Sequence, residues 1–299
     1  MSRRRWLWIA LLAAVAASRF VGLGERTLSH DESLHAHYSQ VLATKGVYRH
    51  DPMMHGPLLF HLGAAVFSLV GATDATARLV PALAGTGVVL LLLPFGRWLG
   101  ADAVLAAAAL VGLSPSLLFY SRYLRNDVYI ALLCLLWVLG SWIYLERRST
   151  RGIALVAAAL GLALATKEVA FLFGLTAGLY FAGLALWRRR RAGEPLRANA
   201  AADLALLLAT LVLPFLAALL YPPLGWDPVA FDAPEAPRRA LLSAGGLGLA
   251  ATVTAGLWLR GRRSGSGLTF RSWGRRRPES GAAPRSSSPP SAPTRRAAS

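Results

Sequence analysis

The stretch HDESLHAH, His30 to His37, packs two adjacent carboxylates and three imidazoles into eight residues. A carboxylate within hydrogen-bond reach can take a proton from an attacking hydroxyl. Carboxylate plus imidazole can also hold a divalent cation, and an oxygen-rich set suits Mg2+ or Mn2+. Asp31, His35 and Asp127 are the candidate ligands for such an ion. The spacing is not that of HExxH, because His30 and His35 are five apart, and Glu32-x-x-His35 is half of a di-iron pattern that has no second copy. Ser29-x-x-Glu32 has the form of a capping box, which predicts a helix starting at Ser29. Glu32 is then either an acid acting beside Asp31 or only the cap. In that helix Asp31, His35 and Tyr38 would share one face.

Two further polar islands interrupt apolar sequence. SRYLRND, Ser121 to Asp127, offers Arg122 and Arg125 as phosphate-holding cations, with Asp127 to orient an acceptor or a metal. The alternative is a solvated turn in which Asn126 or Asp127 caps the following helix. The third island is Lys167-Glu168 within ATKEVA. An acid-base pair at membrane depth marks a functional site, unless it only marks a tight turn. All six histidines lie between residues 30 and 61, and His55 precedes Gly56-Pro57.

The elements that must position these residues are apolar helices. The 299 residues are 55% hydrophobic and 16% charged, with a mean hydropathy of +0.46. That balance excludes an ordinary soluble domain and predicts an all-α polytopic membrane protein. Apolar segments run over 6–23, 57–71, 77–96, 103–119, 128–145, 152–166, 169–187, 200–221 and 240–259. The first follows Arg3–Arg5 and resembles a signal peptide, yet its length and the spans behind it favour an uncleaved helix. The single cysteine, Cys134, lies in an apolar run and reads as packing.

The net charge is +17, carried by 30 arginines and two lysines, Lys45 and Lys167. The arginines gather at Arg3–Arg5, at Arg147, Arg148 and Arg151, at Arg188–Arg191 and from Arg260 onward. Clusters at the ends of apolar runs fit the positive-inside rule and exclude a nucleic-acid surface. If every segment spans, the first cluster falls on the opposite side from the others. If 57–71 lies on the surface instead, all clusters share the cytoplasmic side. That segment is about 15 residues, below the usual spanning length. The expected topology is therefore eight spans plus an outer interfacial helix over 57–71, with the amino terminus cytoplasmic. It places the loop 24–76, residues 120–127, the turn 166–168 and the Pro-rich loop Tyr221–Arg239 on one extracytoplasmic face. Residues 1–259 form the membrane domain. Residues 260–299, rich in Arg, Ser and Pro, read as a disordered cytoplasmic tail that could touch anionic lipid headgroups.

The order of these motifs resembles a known family. HDE, then HGPLL, then "ARLVPALAGTGVVLLLLPFGRWLG", SRYLRND and "LGLALATKEVAFLF" looks like the membrane glycosyltransferases of the C-type fold. These include the protein O-mannosyltransferases and the aminoarabinose transferases that act on lipid A. Within them the chain looks most similar to the flippase activity-associated membrane proteins, over about residues 6–220. The resemblance implies a C-type helical bundle in the cytoplasmic (inner) membrane that transfers a sugar from a polyprenyl-phosphate carrier to an acceptor it does not specify. It implies Asp31 as the first-loop catalytic or metal-proximal acid with Glu32 beside it, and Asp127 as the second-loop acid. Arg122, Arg125, His55, Lys167 and Glu168 then serve the substrate, with Lys167 matching a lysine between later spans. His55-Gly56-Pro57 stands where His-Pro-Pro is common in the mannosyltransferases. Members are usually longer, which implies a C-terminally shortened chain. The other function compatible with these islands is a non-catalytic membrane protein that assists lipid-linked glycan flipping or assembly. A transporter is disfavoured, because no inverted repeat is evident.

Overall fold

A computed structural model describes residues 3–49 and 54–216, with side chains to residue 212. The expected loop 221–239, the span 240–259 and the tail 260–299 lie outside the described residues. Among the described residues all regular structure is helical.

The helices are α1 (Arg3–Phe20), α2 (His30–Lys45), α3 (Leu58–Val70), α4 (Asp74–Ala77), α5 (Leu79–Leu90) and α6 (Gly96–Leu99). They continue with α7 (Ala101–Gly112), α8 (Pro115–Ser121), α9 (Asp127–Arg147), α10 (Thr150–Leu164), α11 (Ala170–Ala192) and α12 (Ala200–Leu216). Three apolar stretches are long enough to cross a membrane: Asp74–Leu99, Asp127–Arg147 and Ala170–Ala192. The chain is thus a multi-pass membrane protein by composition and helix length. The segment expected to span over 103–119 is two helices, α7 and α8, bent by 62°. Pro115 opens α8, and the Ser114 hydroxyl accepts from the Leu117 N–H. Proline removes a helical donor and fits only a first turn, so the break falls there. If that bent pair is one span, the described residues hold up to four long spans, and α10 and α12 are shorter apolar helices.

Charged contacts define two ends of this bundle. At one end Arg4 pairs with Asp102 at 2.7 Å, Arg97 with Glu146 at 3.5 Å, and Arg148 donates to the Ala198 carbonyl. The three arginine clusters within the described residues sit at or beside these helix ends. At the other end lie the close of α1, the start of α9 and the turn between α10 and α11. Arg122 donates there to the carbonyls of Ser18, Arg19, Val21 and Gly22, at 2.7–3.2 Å. Helices α1, α9, α10 and α11 therefore each run from one end to the other.

Small residues let these helices approach closely. A side chain at Gly140 on α9 would come within 3.0 Å of the Val156 amide on α10, and one at Gly152 within 2.8 Å of the Tyr144 amide. The core between α9, α10, α11 and α12 is built from Ile153, Val156, Leu160, Phe181, Leu204 and Leu208. Large apolar side chains such as Leu110, Leu179 and Tyr180 are exposed on the outside, as a lipid-facing surface requires.

Helix α3 has 13 residues, about 20 Å at 1.5 Å per residue, against a hydrocarbon core of about 30 Å. Helix α2 packs along it, and Gly63 lies against the Ser39 side chain. Leu59, Phe60 and Phe67 of α3 join Leu124, Val128 and Tyr129 in a second core, which is the floor of the polar end.

Candidate functional site

Helix α2 begins as its sequence requires. Ser29 is the N-cap, its hydroxyl accepts from the Glu32 N–H, and the Glu32 carboxylate accepts from the Ser29 N–H at 3.0 Å. Gly46 ends the helix in the left-handed conformation, with φ 66°. The box fixes which way the two acids face.

Glu32 turns inward and is fully buried. Its Oε1 accepts from Arg78 Nε at 2.7 Å and from the Leu124 N–H at 3.2 Å. Its Oε2 accepts from Arg78 at 3.0 Å and from Arg26 at 2.9 Å, besides the cap. Burial alone raises this carboxyl's pKa. The Arg78 guanidinium and the Ser29 and Leu124 amides outweigh burial and hold it below the usual range. With every lone pair taken, Glu32 ties three segments together: the α1–α2 loop, the start of α4–α5 and the SRYLRND island. Arg78 completes the tie by donating to the carbonyls of Leu23, Arg26 and Thr27.

Asp31, one residue earlier, faces the opening and is 41% exposed. It pairs with Arg125. Arg125 Nε also lies 3.7 Å from Asp127, and Lys167 Nζ lies 2.9 Å from the other Asp127 oxygen. A chain of alternating charge, Asp31–Arg125–Asp127–Lys167, thus spans α2, the island and the α10–α11 turn. Beside it His55 bonds Glu168 through Nδ1 at 2.9 Å. His55 has φ 66°, a conformation uncommon for a side-chain-bearing residue. The main chain explains it. The Gly56 and Leu58 amides donate to the Thr166 and Ala165 carbonyls, at 3.1 and 3.0 Å, so this segment is clamped onto the 165–168 turn.

The structure therefore gathers Asp31, Arg125, Asp127, Lys167, His55 and Glu168 at one end. It gives Arg122 a different place from the expected phosphate contact: its guanidinium is occupied by four carbonyls at the end of α1. Asp127 opens α9, but Asn126 makes no side-chain cap bond. Asp31, His35 and Tyr38 do lie along one side of α2, where Phe60 meets the rings of His35 and Tyr38. His35 donates from Nδ1 to the Asp31 carbonyl at 2.7 Å, and burial lowers its pKa. The expected Mg2+ or Mn2+ set of Asp31, His35 and Asp127 is not assembled. Both carboxylates face Arg125, His35 is committed to the Asp31 main chain, and no three His, Cys, Asp or Glu side chains among the described residues are grouped to hold a metal.

Sequence reasoning passed over Arg78, the fully buried partner of Glu32. Its signal was available, since a lone arginine opening an apolar run must find an acid or carbonyls to be buried at all. Tyr123 was also missed; its hydroxyl meets Ser29 at 2.9 Å and its ring lies under Arg26.

Residues 54–219, more than half of the chain, match the dolichyl-phosphate-mannose-protein mannosyltransferase family. No curated protein and no solved structure matches the chain. The acidic pair lies ahead of the matched residues, yet Arg78 and Arg125 join it to them. The helical membrane architecture, the polar end and the match agree, and the chain belongs to the dolichyl-phosphate-mannose-protein mannosyltransferase family of membrane glycosyltransferases.

Proposed function

We propose that this protein transfers a sugar from a polyprenyl-phosphate carrier to an acceptor on the extracytoplasmic side of the cytoplasmic membrane. The observation that carries this reading is the convergence of Asp31, Arg125, Asp127 and Lys167 at the end of the bundle away from the arginine clusters. By the positive-inside rule the cluster end is cytoplasmic and the site end is outside. The same assignment is consistent with α3 lying at the outer interface rather than across the membrane. The placement near the flippase activity-associated members rests on the HGPLL and TKE sequence elements alone.

In this reaction the acceptor hydroxyl attacks the anomeric carbon and the bond from that carbon to the phosphate oxygen breaks. Asp31 is half-exposed and takes the hydroxyl proton as general base. The electron pair leaves on the carrier phosphate, whose charge Lys167 and Arg125 stabilise. Asp127 holds both cations in place before the donor arrives. Glu32 and Arg78 position the base and the island without touching substrate. The apolar helix faces solvate the polyprenyl chain.

The test uses the purified full chain in lipid nanodiscs with a radiolabelled polyprenyl-phosphate hexose and a panel of hydroxyl acceptors. Release of polyprenyl phosphate coupled to label on an acceptor supports the reading. Binding of the carrier without turnover on any acceptor contradicts it.

A further inference from the structure

Glu32 and Asp127 differ in whether they can be displaced. Glu32 is sealed, with Arg78 1% exposed beside it. Arg125, Asp127 and Lys167 are 33%, 34% and 22% exposed, and their ion pairs among the described residues are with neighbours of similar exposure. Half-exposed ion pairs contribute little and exchange readily with a stronger anion. A phosphate ester presents more acceptor oxygens than a carboxylate and binds the same cations.

We propose that Asp127 is a built-in counter-anion, which an incoming lipid phosphate displaces from Lys167 and Arg125. Before binding, Asp127 occupies Lys167 Nζ at 2.9 Å and stands 3.7 Å from Arg125, and Asp31 is paired with Arg125 as well. Neither cation is then free to repel the other or to capture a stray anion. When phosphate takes both cations, the Asp127 and Asp31 carboxylates lose their partners together. No bond forms or breaks in this exchange; three anionic groups compete for two cations. The 2.9 Å bond between His55 and Glu168 leaves Glu168 engaged, so it does not replace Asp127 on Lys167.

The inference rests on the donor proposed above, and it has a counter-intuitive consequence: removing a residue of the site tightens donor binding. The experiment measures binding of undecaprenyl phosphate, and separately of inorganic phosphate, to the full chain in nanodiscs of neutral lipid. Asp127→Asn is expected to bind undecaprenyl phosphate about three- to tenfold more tightly than the wild type. Lys167→Met is expected to bind it about tenfold or more weakly. Inorganic phosphate should compete only in large excess, because the lipid chain adds apolar contact; equal affinity for both would assign the site to free phosphate and overturn the lipid part. A wild type that binds undecaprenyl phosphate, with Asp127→Asn binding equally or more weakly, overturns the exchange and leaves the donor reading standing. A wild type that binds no undecaprenyl phosphate overturns both. A second measurement needs no variant: carbodiimide labelling of Asp127 in the wild type, read by mass spectrometry. Labelling should rise when undecaprenyl phosphate is added, and unchanged or reduced labelling contradicts displacement.

Discussion

Asp31 and Glu32 are consecutive on α2, yet one faces a half-open cluster and the other is sealed in the protein. The capping box causes the difference. It draws the Glu32 carboxylate back onto the Ser29 N–H, into contact with Arg78 and the Leu124 amide, and leaves Asp31 turned toward Arg125. A substitution at either position therefore tests a different property.

Glu32→Gln removes the charge that compensates a fully buried Arg78. Breaking a buried pair by removing one partner costs about 3–5 kcal/mol. We expect a large drop in the thermal unfolding midpoint of the detergent-solubilised protein, and the same for Arg78→Ala. Arg78→Lys should rescue little, because Nε and Nη2 of Arg78 form a two-pronged contact that a lysine cannot reproduce.

Arg122 and Arg125 lie three residues apart and should separate in kinetics. Arg122→Ala strips the carbonyls at the close of α1 of their partner and is expected to lower stability while leaving the KM for donor within about twofold. Arg125→Ala should raise the KM for donor by about tenfold or more, as loss of a charged phosphate contact implies. Steady-state kinetics on both variants, beside their melting curves, checks this. Equal effects on KM would argue that Arg122 also meets the substrate.

How much of this was legible in the sequence follows from the same residues. Ser29 and Glu32 announced the start of α2 because a capping box is local chemistry. The shortness of 57–71 suggested a helix lying at the outer interface, but its packing against α2 and Gly63 against Ser39 became visible only in the fold. Arg122 and Arg125 could not be told apart, because the two are distinguished by what lies across the fold: main-chain carbonyls of α1 for one, Asp31 for the other. Arg78 stands out at the start of an apolar run, but its partner, 46 residues away, is set by the fold. The break between α7 and α8 was written in Ser114-Pro115, but hydropathy averages across it.

The buried imidazole of His35 sets a pH dependence. Its folded pKa is lowered, chiefly by burial, while unfolded histidine titrates near pH ~6.5. Below that value the unfolded chain binds the extra proton and the folded chain resists it. Stability is therefore complete above about pH 6.5 and falls as pH drops toward the folded pKa. His35→Asn keeps a donor for the Asp31 carbonyl without a titrating ring. Its melting temperature is expected to fall less than the wild type's between about pH 7 and pH 5, as differential scanning fluorimetry would show. Glu32 adds a separate loss only below about pH 4, because its folded pKa is lowered from a usual value near there.

Gly56 tests the clamp on the 165–168 turn. A side chain there would run into the Ala165 carbonyl and come within 2.9 Å of the Thr166 amide. Gly56→Ala should displace His55 from Glu168 and the turn that bears Lys167 from Asp127. The expected result is at least a tenfold loss of transfer with the protein still inserted in the membrane, a loss of the kind small misplacements cause. Full activity would mean that the clamp does not position the site.

The most direct test of the proposed chemistry is the transfer rate of Asp31→Asn, measured with saturating polyprenyl-phosphate sugar in nanodiscs and normalised to folded protein. A general base contributes about 10²–10⁴-fold, and the account predicts a fall of that size with the melting temperature nearly unchanged. A transfer rate equal to that of the wild type would remove Asp31 from the mechanism and contradict the account.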